Sequence, residues 1–267
     1  EGGGWVLGGL GLPLLGRPEL ATLLEHDLLL YDALRDPVAL LRDERRTPTA
    51  LSRFWAYARA DDPRDVPGAA AAEYSAVMAA TQPLVAEQVL AAYDFARHRR
   101  LLDVGGGDGT FLMAAAPHAP RAVLELFELP AVAQRARERF AAQGLASRTV
   151  VHEGSFLDDP LPAGIDCVTL VRVCFDHDDA VVAALFARVR DALVPGGTLL
   201  VAEPMAGLAG AERVGGAYFG WYLLAMRSGR PRRPDEFRKL LLDNGFRSAT
   251  MRAVGNPFQT GLIVATR

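Results

Sequence analysis

One stretch limits what this chain can fold into more than any other. Leu101-Leu102-Asp103-Val104 runs directly into Gly105-Gly106-Gly107-Asp108-Gly109. Arg100–Val104 has the apolar content of a buried strand, and the glycines end it, because glycine turns through positive φ at no steric cost. Phe111–Ala116 then starts a helix. Downstream the same alternation continues, with strands expected at Val123–Phe127, Thr149–Val151, Cys167–Val173 and Thr198–Ala202. Between them lie helices at Ala131–Gln143, capped by Gly144, and at Ala180–Leu193. The second carries Val181, Val182, Leu185, Phe186, Val189 and Leu193 on one face and is stopped by Pro195-Gly196-Gly197. Strands alternating with helices predict an α/β fold with βαβ crossovers and a mainly parallel sheet covered on both faces. The end of the chain differs. Ala249–Val254, a turn at Gly255-Asn256-Pro257 and Leu262–Ala265 predict an antiparallel hairpin closing the sheet edge.

Residues 1–98 are rich in Ala, Leu and Arg, with helical periodicity and no convincing strand, and Pro63, Pro67 and Gly68 mark a break. The expected division is a helical segment, 1–98, and an α/β domain, 99–267. A chain of 267 residues that is half hydrophobic has ample material for a core. Its net charge of -3 offers no basic surface, so nucleic acid is not an expected partner. No apolar run approaches the ~18 residues of a spanning helix. The best, Val6–Gly16, is broken by four glycines and a proline. The chain opens at Glu1 with neither a charged leader region nor a methionine, which suggests a partial or processed chain in the cytoplasm. Cys167 and Cys174 make neither a disulfide framework nor a metal site, and suit a reducing compartment.

The chemistry centres on the glycine turn. A helix starting just beyond it presents unpaired N–H groups and a positive dipole end. Glu128 stands at the end of the next strand, 25 residues after Asp103, where a carboxylate can accept hydrogen bonds from both ribose hydroxyls. Together they predict a nucleoside cofactor. A dinucleotide fingerprint would need a last glycine where Thr110 or Leu112 stands, so that fingerprint fails. Asp103, two residues before the first glycine, suits a cationic amino-acid head group, which points to S-adenosylmethionine. A turn serving only strand-to-helix geometry would leave Glu128 unexplained.

Several segments resemble one family. Asp103–Gly109, Phe127-Glu128-Leu129-Pro130, Gly154-Ser155-Phe156, Asp176–Asp179 and Pro195-Gly196-Gly197 through Glu203 look like the caffeate and acetylserotonin type of S-adenosylmethionine-dependent O-methyltransferase. The resemblance runs from about residue 50 to the end. Leu170–Val173, Asp176–Asp179, Ala202–Ala206 and Ala217–Gly220 are similar to a carotenoid-methylating branch of that family from photosynthetic bacteria. The resemblance implies a Rossmann-like class I methyltransferase sheet. It also implies a winged-helix dimerisation domain, of which only the tail is expected here, and hence a homodimer of the full-length form. It assigns Asp103, Gly105 and Gly107 to the methionine part of the cofactor and Glu128 to the ribose. Phe156 would stack on the adenine. Ser155 stands where relatives have a carboxylate, so its bond to the adenine amine would be weaker. Val171 and Arg172 fall near the cofactor, although an ion pair is an equal role for Arg172. Met78 matches a methionine near the sulfonium, although a core methionine is the simpler reading.

The catalytic residues depart from the family's pattern. Its histidine base falls on Phe175, and a helper glutamate falls on Pro231 within Gly229–Arg233; Glu203 matches the glutamate that orients the histidine. The remaining candidates are His177, Glu203 acting alone, and Asp176, which could instead cap the helix near Asp179. Catalysis by placement of the acceptor oxygen, with no base, is the reading we favour. By resemblance the acceptor pocket draws on Tyr218, Phe219, Trp221, Tyr222, Leu223, Leu224 and Met226, with Phe175 and the segment Leu51–Ala58 containing Phe54, Trp55 and Tyr57. Such a lining suits an apolar hydroxycarotenoid and a peripheral encounter with a membrane, while an aromatic stripe is also what a plain core shows. The alternatives are a bacteriochlorophyll-type or polyketide acceptor, and a cofactor-binding relative without catalysis.

Overall fold

The computed structural model describes residues 8, 18–55, 63–66, 68–258 and 260–267. Among the described residues four α-helices precede the first strand: α1 (Pro18–Ala33), α2 (Pro37–Arg42), α3 (Ala50–Phe54) and α4 (Gly68–Ala92). Two of them are capped as local chemistry requires. The Asp36 carboxylate accepts from Ala39 N at α2, and Thr49 and Ser52 form a reciprocal capping box at α3. Tyr57 and Val6–Gly16 lie outside the described residues.

The sheet has seven strands: β1 (Arg100–Val104), β2 (Val123–Glu128), β3 (Thr149–Glu153), β4 (Ile165–Val171), β5 (Leu193–Glu203), β6 (Ser248–Arg252) and β7 (Gly261–Thr266). Their order is β3-β2-β1-β4-β5-β7-β6. β3 through β5 are parallel, and β7 runs antiparallel between β5 and β6, as the hairpin pattern predicts. Helices α5 (Thr110–Ala115), α6 (Pro130–Ala142) and α7 (Asp179–Ala192) make the crossovers, and α8 (Phe219–Met226) and α9 (Pro234–Asp243) follow β5. The chain winds outward from β1 to β3, then crosses back to β4 on the other side of β1. That reversal parts the loops after β1 and β4 and opens a crevice at the carboxyl ends of the strands.

Period-two alternation feeds two cores, one on each face of the sheet. Leu102, Val104, Val168, Leu170, Leu199 and Val201 pack one face with Phe186 and Phe237. Leu101, Leu124, Leu126, Cys167, Leu200 and Ala202 pack the other with Phe111 and Phe140. A third cluster joins the N-terminal helices to α8 through Leu30, Leu40, Leu51, Trp55, Phe175, Tyr222, Leu223 and Met226.

Of the boundaries that differ from the sequence reading, two have a clear physical reason. β5 begins at Leu193, because Ile165 pairs with Leu193 before the register shifts to Cys167 opposite Thr198. Pro195-Gly196-Gly197 is therefore an irregularity inside the strand, with Gly196 at φ +77°, and not a stop before it. β4 ends at Val171, because Arg172 takes φ +59° and turns the chain out of the sheet. Cys167 and Cys174 are both buried as free thiols. Among the described residues no helix is long and apolar enough to cross a membrane, and no His, Cys, Asp and Glu cluster could hold a metal ion.

Candidate cofactor and acceptor cleft

At the crevice lies a cavity of about 330 Å³, lined by the glycine loop, Glu128, Ser155, Phe156, Val171, Arg172, Val173 and His177. Helix α4 covers it with Ser75, Met78, Ala79 and Gln82, and Trp55 closes one end.

The glycine loop owes its composition to crowding beneath it. A Cβ on Gly106 would lie 2.1 Å from Oδ2 of Asp103 and 2.8 Å from Leu126. Gly107 sits at φ +61° and donates its N–H to Oε2 of Glu128 at 2.9 Å. Asp103 is fully buried below the loop. Its Oδ1 accepts from the Thr169 hydroxyl at 2.6 Å, whereas Oδ2 has no hydrogen-bond partner among the described residues. Burial pushes the Asp103 carboxyl up to about 7, against the Thr169 hydrogen bond and with a further contribution from Glu128. Glu128 also accepts from Leu129 N at 2.8 Å, through Oε1. Burial lifts it too to about 7, against those two backbone hydrogen bonds. Two carboxyls near neutrality beside a glycine loop fit a ligand that brings positive charge and hydroxyl donors. An unpartnered buried acceptor such as Oδ2 of Asp103 is the kind of group a cationic ligand satisfies.

Across the cleft, Ser155 is buried with its hydroxyl turned into its own loop, accepting from Leu157 N at 3.3 Å. Asp159 ties that loop by accepting from Ser155 N at 2.8 Å. Phe156 meets the His177 ring edge-on at 5.4 Å between centroids. Arg172 reaches α4, where its guanidinium donates to the Thr81 hydroxyl at 2.6 Å and to the Met78 sulfur at 2.8 Å. It therefore holds α4 over the cavity and makes no ion pair among the described residues, and Met78 lines the cavity instead of the core. Ser75, Met78, Ala79 and Gln82 were missed apart from Met78, although their spacing of 0, 3, 4 and 7 is one face of a helix.

His177 lines the cleft between Phe156 and Trp55, whose ring centroid lies 6.1 Å away. Burial first, then the Arg232 cation, pushes its pKa down to about 4. The imidazole is thus neutral at neutral pH and a weak proton acceptor. Glu203 does not reach the cavity. It is fully buried and accepts from Val173 N at 2.9 Å, Cys174 N at 2.7 Å and Phe175 N at 3.3 Å. Burial raises its pKa to about 7, but those amides occupy it, so it anchors a loop and is not placed to act as a base.

The expected acceptor residues need a similar correction. Phe175, Tyr218, Trp221, Tyr222 and Met226 gather in the third core cluster, and none lines the cavity. The Phe175 ring packs edge-on against Phe219 at 6.1 Å. The Tyr222 hydroxyl bonds His26 Nε2 at 2.8 Å, and the Tyr218 hydroxyl donates to Asp27 at 2.6 Å, so they join α1 to α8 and to the residue just before it. Of that cluster only Trp55 faces the cleft. Asp176 lines the cavity, and the residue preceding α7 in the capping position is Asp178 instead.

The sheet order defines a class I methyltransferase fold, and this cleft lies at its switch point. The family model of the O-methyltransferase domain matches residues 31–247, and the chain belongs to that family. Demethylspheroidene O-methyltransferase of Cereibacter sphaeroides is 43% identical over 261 residues, covering 96% of this chain and 67% of that protein. Aclacinomycin 10-hydroxylase RdmB of Streptomyces purpurascens is 36% identical over 203 residues, covering 74% of this chain and 54% of that protein. Among solved structures, the O-methyltransferase NcsB1 from neocarzinostatin biosynthesis, in complex with S-adenosylmethionine and 2-hydroxy-5-methyl naphthoic acid, aligns with a TM-score of 0.69 at 28% identity. That alignment covers 86% of this chain and 67% of the other. The chain thus spans from about half to about two thirds of the length of these relatives.

Proposed function

We propose that this chain binds S-adenosylmethionine and transfers its methyl group to a hydroxyl of an apolar acceptor, a hydroxycarotenoid of the demethylspheroidene type. One observation carries the reading: the glycine loop and Glu128 line one cavity with Phe156, and Asp103 lies directly beneath Gly106 of that loop with Oδ2 lacking a hydrogen-bond partner among the described residues. The 43% identity to a demethylspheroidene O-methyltransferase supports the acceptor. When bound, S-adenosylmethionine supplies an electrophilic methyl on a sulfonium, so the acceptor oxygen gains a carbon as the carbon–sulfur bond breaks.

The chain's own residues divide the work of holding the reactants. Asp103 offers its unpartnered Oδ2 toward the amino-acid head group, and Glu128 keeps lone pairs free for ribose hydroxyls. Phe156 presents a ring face to the adenine, and Ser155, Val171 and Arg172 complete the walls. Of the candidate bases, His177 is a weak one and Glu203 is taken up by backbone amides, while Asp176 lines the cleft; transfer without a base is the reading we favour. The proton then leaves to water once the oxygen is methylated, and the rate comes from placing that oxygen in line. The apolar shell of Trp55, Phe156 and Met78 excludes water from the methyl.

The same proposal includes a helical segment, 1–98, and a methyltransferase domain, 99–267. It includes a homodimer, supported by the exposed Leu24, Leu28 and Tyr31 of α1 and the exposed Val38 and Leu41 of α2. Peripheral membrane contact rests on the apolar acceptor alone. Incubation with methyl-labelled S-adenosylmethionine and detergent-solubilised hydroxycarotenoid tests the reading. Label in a methoxycarotenoid is the expected product. Tight cofactor binding with no labelled carotenoid would move the search to tetrapyrrole and polyketide acceptors, and no turnover with any hydroxylated acceptor would leave a cofactor-binding protein.

A further inference from the structure

The loop between β4 and α7, residues 172–178, contributes Arg172, Val173, Asp176 and His177 to the cleft. Glu203 holds its amides from beneath, as described above. Its carbonyls are held from the opposite side by the segment 228–232, which no part of the proposed function uses. Arg232 has no exposed surface. Its Nη1 donates to the Cys174 carbonyl at 2.7 Å, Nη2 to the His177 carbonyl at 2.6 Å, and Nε to Oδ1 of Asp179 at 2.8 Å. The Ser228 hydroxyl donates to the Asp176 carbonyl at 2.7 Å, and Arg230 N to the Phe175 carbonyl at 3.1 Å. Gly229 closes the gap between them, since a Cβ there would lie 2.0 Å from the Phe175 oxygen.

A guanidinium taken wholly out of water is retained where its donors are used in a fixed fork. Here the fork spans the two ends of the segment that presents His177. The His177 ring is in turn a wedge, with Phe156 on one side and Trp55 on the other. In an enzyme without a base, the relative placement of methyl and acceptor oxygen is the main source of rate, and small displacements of the wedge are costly.

We propose that Arg232 is a positioning residue for methyl transfer, acting through His177 by fixing the loop that holds its ring between the adenine side and the acceptor side. This rests on the proposed function. The test compares Arg232→Lys, His177→Ala and the double variant with the wild type. It reads kcat and acceptor KM, affinity for S-adenosylhomocysteine, and amide hydrogen exchange of residues 173–177. A lysine at position 232 reaches one of the three acceptors at a time, so kcat falls about tenfold while S-adenosylhomocysteine affinity stays within about threefold. Exchange speeds up at 173–177 and is unchanged in β1 and β2. In the His177→Ala background, Arg232→Lys adds less than about a twofold loss, because both changes remove the same placement. Additive losses, or a loss of affinity matching the loss of kcat, would overturn the proposal. If Arg232→Lys does not fold, Ser228→Ala removes one tie from the same segment, and faster exchange at 175–177 with lower kcat is expected. Should the wild type methylate nothing, the functional reading fails on its own. The exchange and affinity arms then still decide the clamp, and unaltered protection in Arg232→Lys refutes it.

Discussion

Replacing Glu128 by glutamine changes one atom at the centre of the cofactor site, and its effect can be worked out from the bonds already made. The carboxylate accepts from Gly107 N at 2.9 Å and Leu129 N at 2.8 Å, one on each oxygen. Each oxygen keeps a lone pair for a ribose hydroxyl. In Glu128→Gln one oxygen becomes an NH₂ that must face a backbone N–H, so a charge-assisted bond to the ribose is lost, worth ~1.5–3 kcal/mol. The Kd for S-adenosylmethionine should rise about 10- to 150-fold. A second signature is pH. Burial lifts the Glu128 carboxyl to about 7, and holding two hydroxyl donors requires the ionised form. Wild-type affinity therefore falls as pH drops, by roughly tenfold between pH 8 and pH 6 for this group. Asp103, raised to about 7 by burial, adds a change of the same sign. The glutamine variant keeps only the Asp103 part. Calorimetric titration at several pH values checks both, and a Kd within twofold of wild type with an unchanged pH slope would refute the assignment of Glu128.

Two further substitutions test the supports of the site. Glu203→Gln sets an NH₂ against one of the three amides that the carboxylate now receives. Because burial raises this pKa from 4.5 to about 7, the favourable protonated state holds fully below 4.5 and is lost as pH rises through about 7, a change of about 3 kcal/mol. The thermal-melting deficit of the variant is thus expected to be larger at pH 5 than at pH 8, and an equal or smaller deficit at pH 5 contradicts the buried-carboxyl account. Gly106→Ala forces a methyl to within 2.1 Å of the Asp103 carboxylate, so a destabilisation of about 1–3 kcal/mol is expected by denaturant titration and a weakened cofactor affinity by calorimetry.

What the chain shows as sequence, and what it hides, follows from the kind of signal each residue leaves. Asp103, the glycines and Glu128 are legible because a strand end, a turn and a carboxylate at a set distance need particular residue types. Glu203 matched a family position, but its partners are backbone amides, which have no sequence signature. Arg232 is one of four arginines within seven positions, and nothing in that run marks one as buried. The α4 face at 75, 78, 79 and 82 was hidden by alanines on the other faces, which flatten the contrast that periodicity needs. The aromatic stripe of α8 turned out to be core, as such stripes usually are, and the triple Pro195-Gly196-Gly197 became an irregularity within β5 because pairing with Ile165 outweighed local turn propensity.

The most direct test of transfer without a base is the pH–rate profile of His177→Ala at saturating cofactor, set beside that of the wild type. With its pKa pushed down to about 4, His177 is a weak base, so the account expects its removal to cost placement more than proton transfer. The account predicts roughly a tenth of the wild-type kcat and profiles of the same shape in both proteins down to about pH 4, where a base with the pKa of His177 would titrate. A loss beyond about a thousandfold, or a wild-type profile that falls on acidification and becomes flat in the variant, would make His177 the base and contradict the account.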